Sequence, residues 1–490
     1  MRRGKVLLLS FLALAISMVG NQGFTQSGTV VIVTGDITAN TTWTANNVYV
    51  LRGAVFVREP ATLRIQPGTF IAGELATSGT LVIAQGAKLM AIGTAAAPIV
   101  FTSDQPYGPP DWPSDDRFRA DWGGLIVNGR ATLNVPGGVG FGEGNTGRFG
   151  GTNDADNSGA LVYVRVEYAG TEFSPDNELN GIAFQGVGSG TLVDFVQVHM
   201  NLDDGIEMFG GTVNLKHLVL TNIGDDSLDQ TDGWRGSAQY VVVQQRGDDA
   251  DRGFEWDNNA ENNDLLPRSR PTVYNATLVG DPFTVWGPES NRGMLLREGT
   301  AANIRNSIVI GFKDAGLRVD QSATHAQVLA GNLIVGNTIV FNNNPNIHSA
   351  SAGYVNNQWP NVAVIDPLLI DPYNLTNPDF RPQLTSPAVV GTVPVAPPPP
   401  GNTFIEPTSF IGAMGPLPTD DWTRMPVKWT TSDQGFTAFL PGQSVGTDGR
   451  PLRRNKNEPG DGSGIRVTGI GPALPGGPGP GAQPGSGGGH

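Results

Sequence analysis

The chain contains no cysteine in 490 residues. That absence excludes a disulfide framework, a cysteine–histidine metal site and a lipid-modified cysteine anchor, so stability must come from packing, backbone ladders or bound ions. Basic residues are also scarce: 31 Lys and Arg stand against 45 Asp and Glu, for a formal net charge of −14. Nucleic acid, whose phosphates need Lys and Arg for neutralisation, is therefore not an expected partner. Acidic polymers are disfavoured in the same way unless a cation intervenes. Missing too are a sustained 3.6-residue apolar pattern in the central region, a Ser/His/Asp triad, a phosphate-binding loop and a hallmark lyase motif.

One apolar run does stand out. The start, "MRRGKVLLLSFLALAISMVGNQGFTQ", places a basic end before an apolar stretch and then small and polar residues, the build of a secretory leader over 1–26. The run from Val6 to Val19 is short for a span that needs roughly 20 apolar residues. Export to the cell exterior, the outer surface or the periplasm is expected, with no membrane span after cleavage.

What the chain has in abundance is glycine, 67 residues, and short apolar alternations closed by Gly or Pro. "ATLRIQPGTFIAG" and "GTLVIAQGAKLMAIG" align through Gly68 and Gly86, and repetition at this scale marks a solenoid. Further on, Gly181, Gly205, Ser227, Gly253, Gly293 and Gly316 each precede an apolar residue, at steps of 24, 22, 26, 40 and 23. The long step holds "NNAENNDLLPRSRP", read as a loop inserted into one turn. Val198, Leu220 and Val243 form a second apolar column. In "LVYVRVEYAG", Val162, Val164 and Val166 alternate with Tyr163, Arg165 and Glu167, as in a half-buried strand. A coil of short strands, each pairing with its equivalent one turn later, satisfies the backbone and buries a continuous interior. The expected fold is all-β, a right-handed parallel β-helix over 27–394. A propeller blade needs about 40 residues, which this step does not supply.

Composition sets the remaining boundaries. Segments 103–116 and 134–159 read as Gly/Pro/Asp-rich projecting loops. "VAPPPP" (395–400) breaks the coil, and the aromatic stretch up to 440 is expected to fold back as a cap on the open end. The Gly/Pro-rich tail over 441–490 lacks apolar periodicity and is expected to be disordered.

The runs "TTWTANNVYVLRGAVFV", "GAKLMAIGTAAAPIVFTS", "WGGLIVNGRATLN" and "DDGIEMFGGTVNLKHLVLTN" resemble a family of secreted β-helix proteins from Gram-negative bacteria, most often Bacteroidetes and their relatives. The resemblance extends from about residue 30 to 430. It implies the fold and export, while the superfold itself is shared by pectate-lyase-like enzymes, adhesins and phage tailspikes. Many relatives end in a C-terminal sorting domain, in place of which this chain has its Gly/Pro tail.

Acid pairs are the most conspicuous motif: "NLDDGIEMFGG", "NIGDDSLDQTDG" and "QQRGDDADRGFE". If the turns stack, Glu207, Asp229 and Glu255 form one outward column, because Ile206 and Met208 point inward. Asp203 then lies over Asp225, and Asp204 over Asp226, with Asp248, Asp249 and Asp251 in the following turn. Neighbouring turns lie roughly 4.8 Å apart, so these carboxylates must bind a cation, pair with Arg, protonate or splay into water. Two readings stay open: Ca²⁺ held by converging oxygens, or Asp and Asn capping tight turns with Arg235, Arg246 and Arg252 as counter-charges. "DADNSG" begins like a calcium loop at Asp154, Asp156 and Ser158, but Arg165 stands where the closing Glu belongs.

The acids beside Arg235, Arg252, Arg292, Arg297 and Lys216 could also assemble a calcium-dependent polysaccharide lyase. In such β-helix enzymes acids hold calcium against a uronate and Arg or Lys serves as base. A glycoside hydrolase would need two carboxylates at a defined separation, and the chain offers too many acids to select a pair. His199 and His217 lack metal-ligand spacing and read as ordinary strand residues. Trp112, Trp122, Trp234, Trp256 and Trp286 could stack on sugar rings, and Trp234 and Trp256, with Arg235 and Arg252, are the candidate glycan contacts. The expected role is therefore a glycan-binding, adhesive or structural protein of the cell surface, with the lyase as the alternative.

Overall fold

The computed structural model describes residues 29–105, 118–174, 177–283 and 289–432. The leader, Trp112, Trp286 and the C-terminal tail lie outside the described residues. Strands pair in parallel, each with its counterpart one turn on, in one series of seventeen and a second of nine. The fold is the parallel β-helix expected from the repeat. The predicted apolar column is in exact register: Ile182 opposes Ile206, then Leu228, Phe254, Met294 and Leu317. It extends N-terminally through Leu125, Leu81 and Val55. Val198, Leu220 and Val243 pair likewise, and every member of both columns is buried. Gly205 repeats because the turns approach closely there: a Cβ would meet the carbonyl of Ser227 at 2.6 Å.

Two expectations about strands need correction. Gly68 and Gly86 are not equivalent. Leu63 pairs with Leu89 on the longer series, while Leu81 pairs with Val55 on the other, so the 18-residue match joins different faces of the coil. The strand Gly159–Glu167 does not alternate simply either. Tyr163 has φ +49°, and this bend puts Leu161, Val164 and Val166 in the core and leaves Val162 outside it. The same bend recurs one turn on at Phe195, His217 and Tyr240, and then at Asn275, Asn306 and Asn337. Left-handed backbone costs a non-glycine residue roughly 1–2 kcal/mol, less for Asn. The aromatic members recover part of this by stacking, with ring centroids 4.4, 4.2 and 4.8 Å apart, each pair contributing about 0.5–1.5 kcal/mol.

This corner also explains the C-terminal segment. Within the described residues it does not cap the open end. From Pro394 to Ser432 it runs along the side of the coil as a strap. Outward-facing amides of the corner demand partners, and the strap backbone provides them. Asn337 donates to Pro394 O at 2.8 Å, and Asn306 exchanges two hydrogen bonds with Ala396. Gln239 and Gln197 bridge the backbone of Glu406 and Thr431. Trp422 and Trp429 then meet the aromatic stack edge-on, 5.0 Å from His217 and 5.6 Å from Tyr163. The long step in the repeat is, as expected, an inserted loop between the strands Arg252–Trp256 and Thr272–Val279.

Phe254 sits at the centre of the buried column, stacked on Trp256 at 4.9 Å. Phe254→Ala is expected to destabilise the protein by about 3–5 kcal/mol in urea unfolding. Asp264→Ala, on the exposed inserted loop, should change stability by less than about 0.5 kcal/mol.

Candidate functional site: a stacked acidic corner

The corner that leads into the nine-stranded series is built from Asn201–Gly205, Gly224–Ser227 and their successors. In-register pairing sets Glu207 over Asp229 and Asp229 over Glu255. In the corner itself, Asp226 N donates to Asp204 Oδ1 at 3.1 Å and Arg252 N to Asp226 Oδ1 at 2.7 Å. Asp251 N donates to Asp225 O. Asp204 and Asp226 thus each cap the next turn with one carboxylate oxygen, which is turn chemistry, and leave the other to face its neighbours.

Those neighbours are acids. Three overlapping groups, Asp203/Asp204/Asp225, Asp204/Glu207/Asp229 and Asp225/Asp226/Asp251, bring ligand oxygens within 4.8 Å of one another. The column faces outward by alternation yet is covered, with Glu207 only 7% and Glu255 5% exposed. Projecting segments cover the neighbouring positions of the same face: Phe149 packs 6.0 Å from Phe209, and Leu179 joins Val82, Ile126 and Ala183.

Positive charge here is limited. Arg252 reaches Asp226 at 3.6 Å, Glu255 at 3.4 Å and also Asp251. Arg297 reaches Glu255 at 3.2 Å and Asp257 at 3.0 Å. Burial, reinforced by neighbouring carboxylates, holds Asp203, Asp204, Glu207 and Asp226 well above the usual carboxylate range. The same causes, burial first, push Asp225 up to about 7 and Asp229 up to about 8, partly opposed by Arg252 and Arg297.

Other candidates fall elsewhere. Asp248 and Asp249 do not join the acid groups: Arg119 and Arg246 hold Asp248 at 3.2 Å, and Arg119 lies 4.0 Å from Asp249. Trp234 and Trp256 cannot stack on a ligand, because both are fully buried and packed 6.4 Å apart. Their indole N–H groups donate to Val213 O and Leu228 O. Trp122 is buried too, donating to Glu167 O. Arg235 is distant from the acid corner and forks onto Asp154 at 3.0 and 3.1 Å. That pair explains "DADNSG": Asp154 Oδ1 also accepts from Thr132 N, and Asp156 Oδ2 accepts from Ser158, making an ordered turn. Lys216 pairs with Glu406 on the strap and Arg292 with Asp314. His199 bonds Thr221, and His217 bonds Asp194 within the ring stack.

The corner also holds residues the sequence reading missed. Asn180 stands one turn before Asp204 and donates to Glu207 Oε2 at 2.5 Å, while its own Oδ1 is buried without a partner. Its position before Gly181, like Asp204 before Gly205, was the available signal. Glu143 and Glu178 add negative charge beside Asp203 from the covering loops, at sequence separations that carry no such signal.

A family model described as a pectate-lyase like beta helix domain matches residues 35–363, and the chain belongs to that family. No curated protein and no solved structure matches the chain. Among the described residues, no helix is long and apolar enough to cross a membrane.

If like-charge repulsion dominates the corner, neutralising one acid relieves it. Asp229→Asn, unfolded at pH 8 with chelator, is expected to melt above the parent protein. A lower melting temperature would show that the carboxylates are already compensated.

Proposed function

We propose that this β-helix protein works outside the cell, as a binding or structural component of the surface of a Gram-negative bacterium, with Ca²⁺ held in its acidic corner. The observation that carries the reading is that carboxylate oxygens converge in three overlapping clusters of three acids, within 4.8 Å of one another in each. Two oxygens bound to one Ca²⁺ at about 2.4 Å lie no more than about 4.8 Å apart, so the spacing suits a shared ion. The donors are all oxygens, as a hard cation prefers, and the unpartnered carboxamide oxygens of Asn180 and Asn201 lie beside them. Asp203, Asp204, Glu207, Asp225, Asp226, Asp229 and Asp251 would hold the cation. Asp248 and Asp249 would not, nor would Glu255, which joins none of the three groups and is met by Arg252 and Arg297. Bound calcium would supply charge compensation and lock adjacent turns together.

For recognition, the buried tryptophans leave stacking on sugar rings without support at those positions. An acidic glycan could instead be attracted through the cation, which offsets the charge of the chain. The lyase alternative needs a basic group ready to take a proton. Acid neighbours hold the pKa values of Arg252 and Arg297 above the ordinary guanidinium value against the opposing effect of burial, and Lys216 Nζ is engaged by Glu406 and Phe404 O. These pairings favour a non-catalytic role. Incubation with pectate or alginate in the presence of calcium is expected to give no absorbance from unsaturated uronates; a steady rise would overturn the non-catalytic part.

The calcium part has a pH signature. An acid whose folded pKa lies above its unfolded value is penalised once ionised. Stability in chelator should therefore fall as pH rises from about 4, the ordinary carboxylate value, through the 7 and 8 of Asp225 and Asp229. Above that window the loss due to these two acids is complete. Calcium should remove most of the fall, since binding stabilises by about 2.7 kcal/mol per site at one hundred times Kd. Identical melting curves with calcium and with chelator at pH 8 would exclude the ion.

A further inference from the structure

We propose that the N-terminal end of the coil is a dimer interface, at which the strand Thr29–Thr34 of one chain pairs antiparallel with the same strand of a second copy. This strand, "TVVIVT", is bonded on one edge. It pairs in parallel with Asn47–Arg52, and among the described residues nothing pairs with its other edge. It carries neither charge nor proline, the devices that normally blunt a free edge.

Register shows which groups that edge presents. Val30 is set over Val48, Phe70 and Val100 in successive turns, and Val100 N donates to the preceding turn, at Thr69 O, over 3.0 Å. Residues in one such column aim their backbone groups the same way. Val30, and Ile32 two residues on, therefore turn their N–H and C=O toward the side where no strand lies. Their side chains are the outward ones, 60% and 44% exposed, while Val31 and Val33 pack against the core. A twofold axis through Val31 sets Val30 opposite Ile32 of the second copy, and Ile32 opposite Val30 of the second copy. Each such pair exchanges two backbone hydrogen bonds, the exposed apolar side chains meet on one face, and Val31 lies opposite itself. A shift of one residue would set Val30 opposite Val33, whose backbone groups face its own coil, and both pairs would be lost.

Charge and size favour a second copy as the occupant. Between Thr29 and Asn47 the one charged residue is Asp36, which is paired with Arg58 at 2.8 Å. In a chain of net charge −14, this neutral end is a surface that two copies can bring together without repulsion. One turn here spans 18 residues (48 − 30), from Val30 to Val48, close to the roughly 20–30 that each side of a stable interface contributes. A twofold contact also closes on itself, so it buries the edge without leading to fibres.

The absence of cysteine allows a direct test. The full chain, purified in the form the cell leaves it, is expected to sediment as a dimer at micromolar concentration. Ile32→Lys, at an exposed side chain, should weaken dimerisation at least tenfold and leave the circular dichroism of the coil unchanged. Directly opposed residues that exchange no hydrogen bonds have Cα atoms about 4.5 Å apart, within disulfide reach. Val31→Cys should therefore cross-link two chains under mild oxidation, whereas Thr29→Cys, opposite Val33, should not. A monomer, the result if the C-terminal tail or a strand of another protein covers the edge instead, would overturn the assignment. So would head-to-tail polymers, a dimer indifferent to Ile32→Lys, or equal behaviour of the two cysteine variants.

Discussion

In a parallel coil, each backbone N–H and C=O is satisfied by the turn above or below, so every residue is held over its equivalent at strand spacing. That constraint makes apolar residues stack into one interior, from Val55 to Leu317. It stacks less compatible groups just as rigidly. Aromatic rings at the bend gain from the arrangement, and the asparagines that succeed them present a ladder of amides that the strap satisfies. Carboxylates have no such benefit. Glu207, Asp229 and Glu255 are set over one another by the ladder that holds the hydrophobic core together, and among the described residues Arg252 and Arg297 are the cations that come to meet them.

The acidic corner is therefore best understood as a cost of register that a divalent ion would turn into a crosslink. Asp204 and Asp226 cap the next turn with one carboxylate oxygen, so turn chemistry and ion binding are complementary uses of the two oxygens on those side chains.

Much of this was legible in the sequence because repetition reports register directly. The Gly-or-Ser then apolar step located six turns, and the acid columns followed from it. Side-chain direction was legible too: the alternation that sends Glu255 outward sends Phe254 and Trp256 inward, which removes Trp256 from any ligand surface. What could not be read was conformational or long-range. Nothing in "LVYVRVEYAG" marks Tyr163 as left-handed, since aromatic residues seldom adopt that backbone, and the stack that compensates it forms between turns. The Gly68–Gly86 match reflected similar strand endings on different faces. Arg119 on Asp248, Arg235 on Asp154 and Glu143 beside Asp203 join residues far apart in the chain, where composition gives no pairing information. The path of the strap was hidden for the same reason.

The most direct measurement is a high-resolution crystal structure of the protein grown in calcium, with anomalous scattering used to locate the ion. The account predicts a peak coordinated by oxygens of Asp204, Glu207 and Asp229 or of the adjoining acid groups. Fully ordered carboxylates with no anomalous peak, at millimolar calcium and neutral pH, would contradict it.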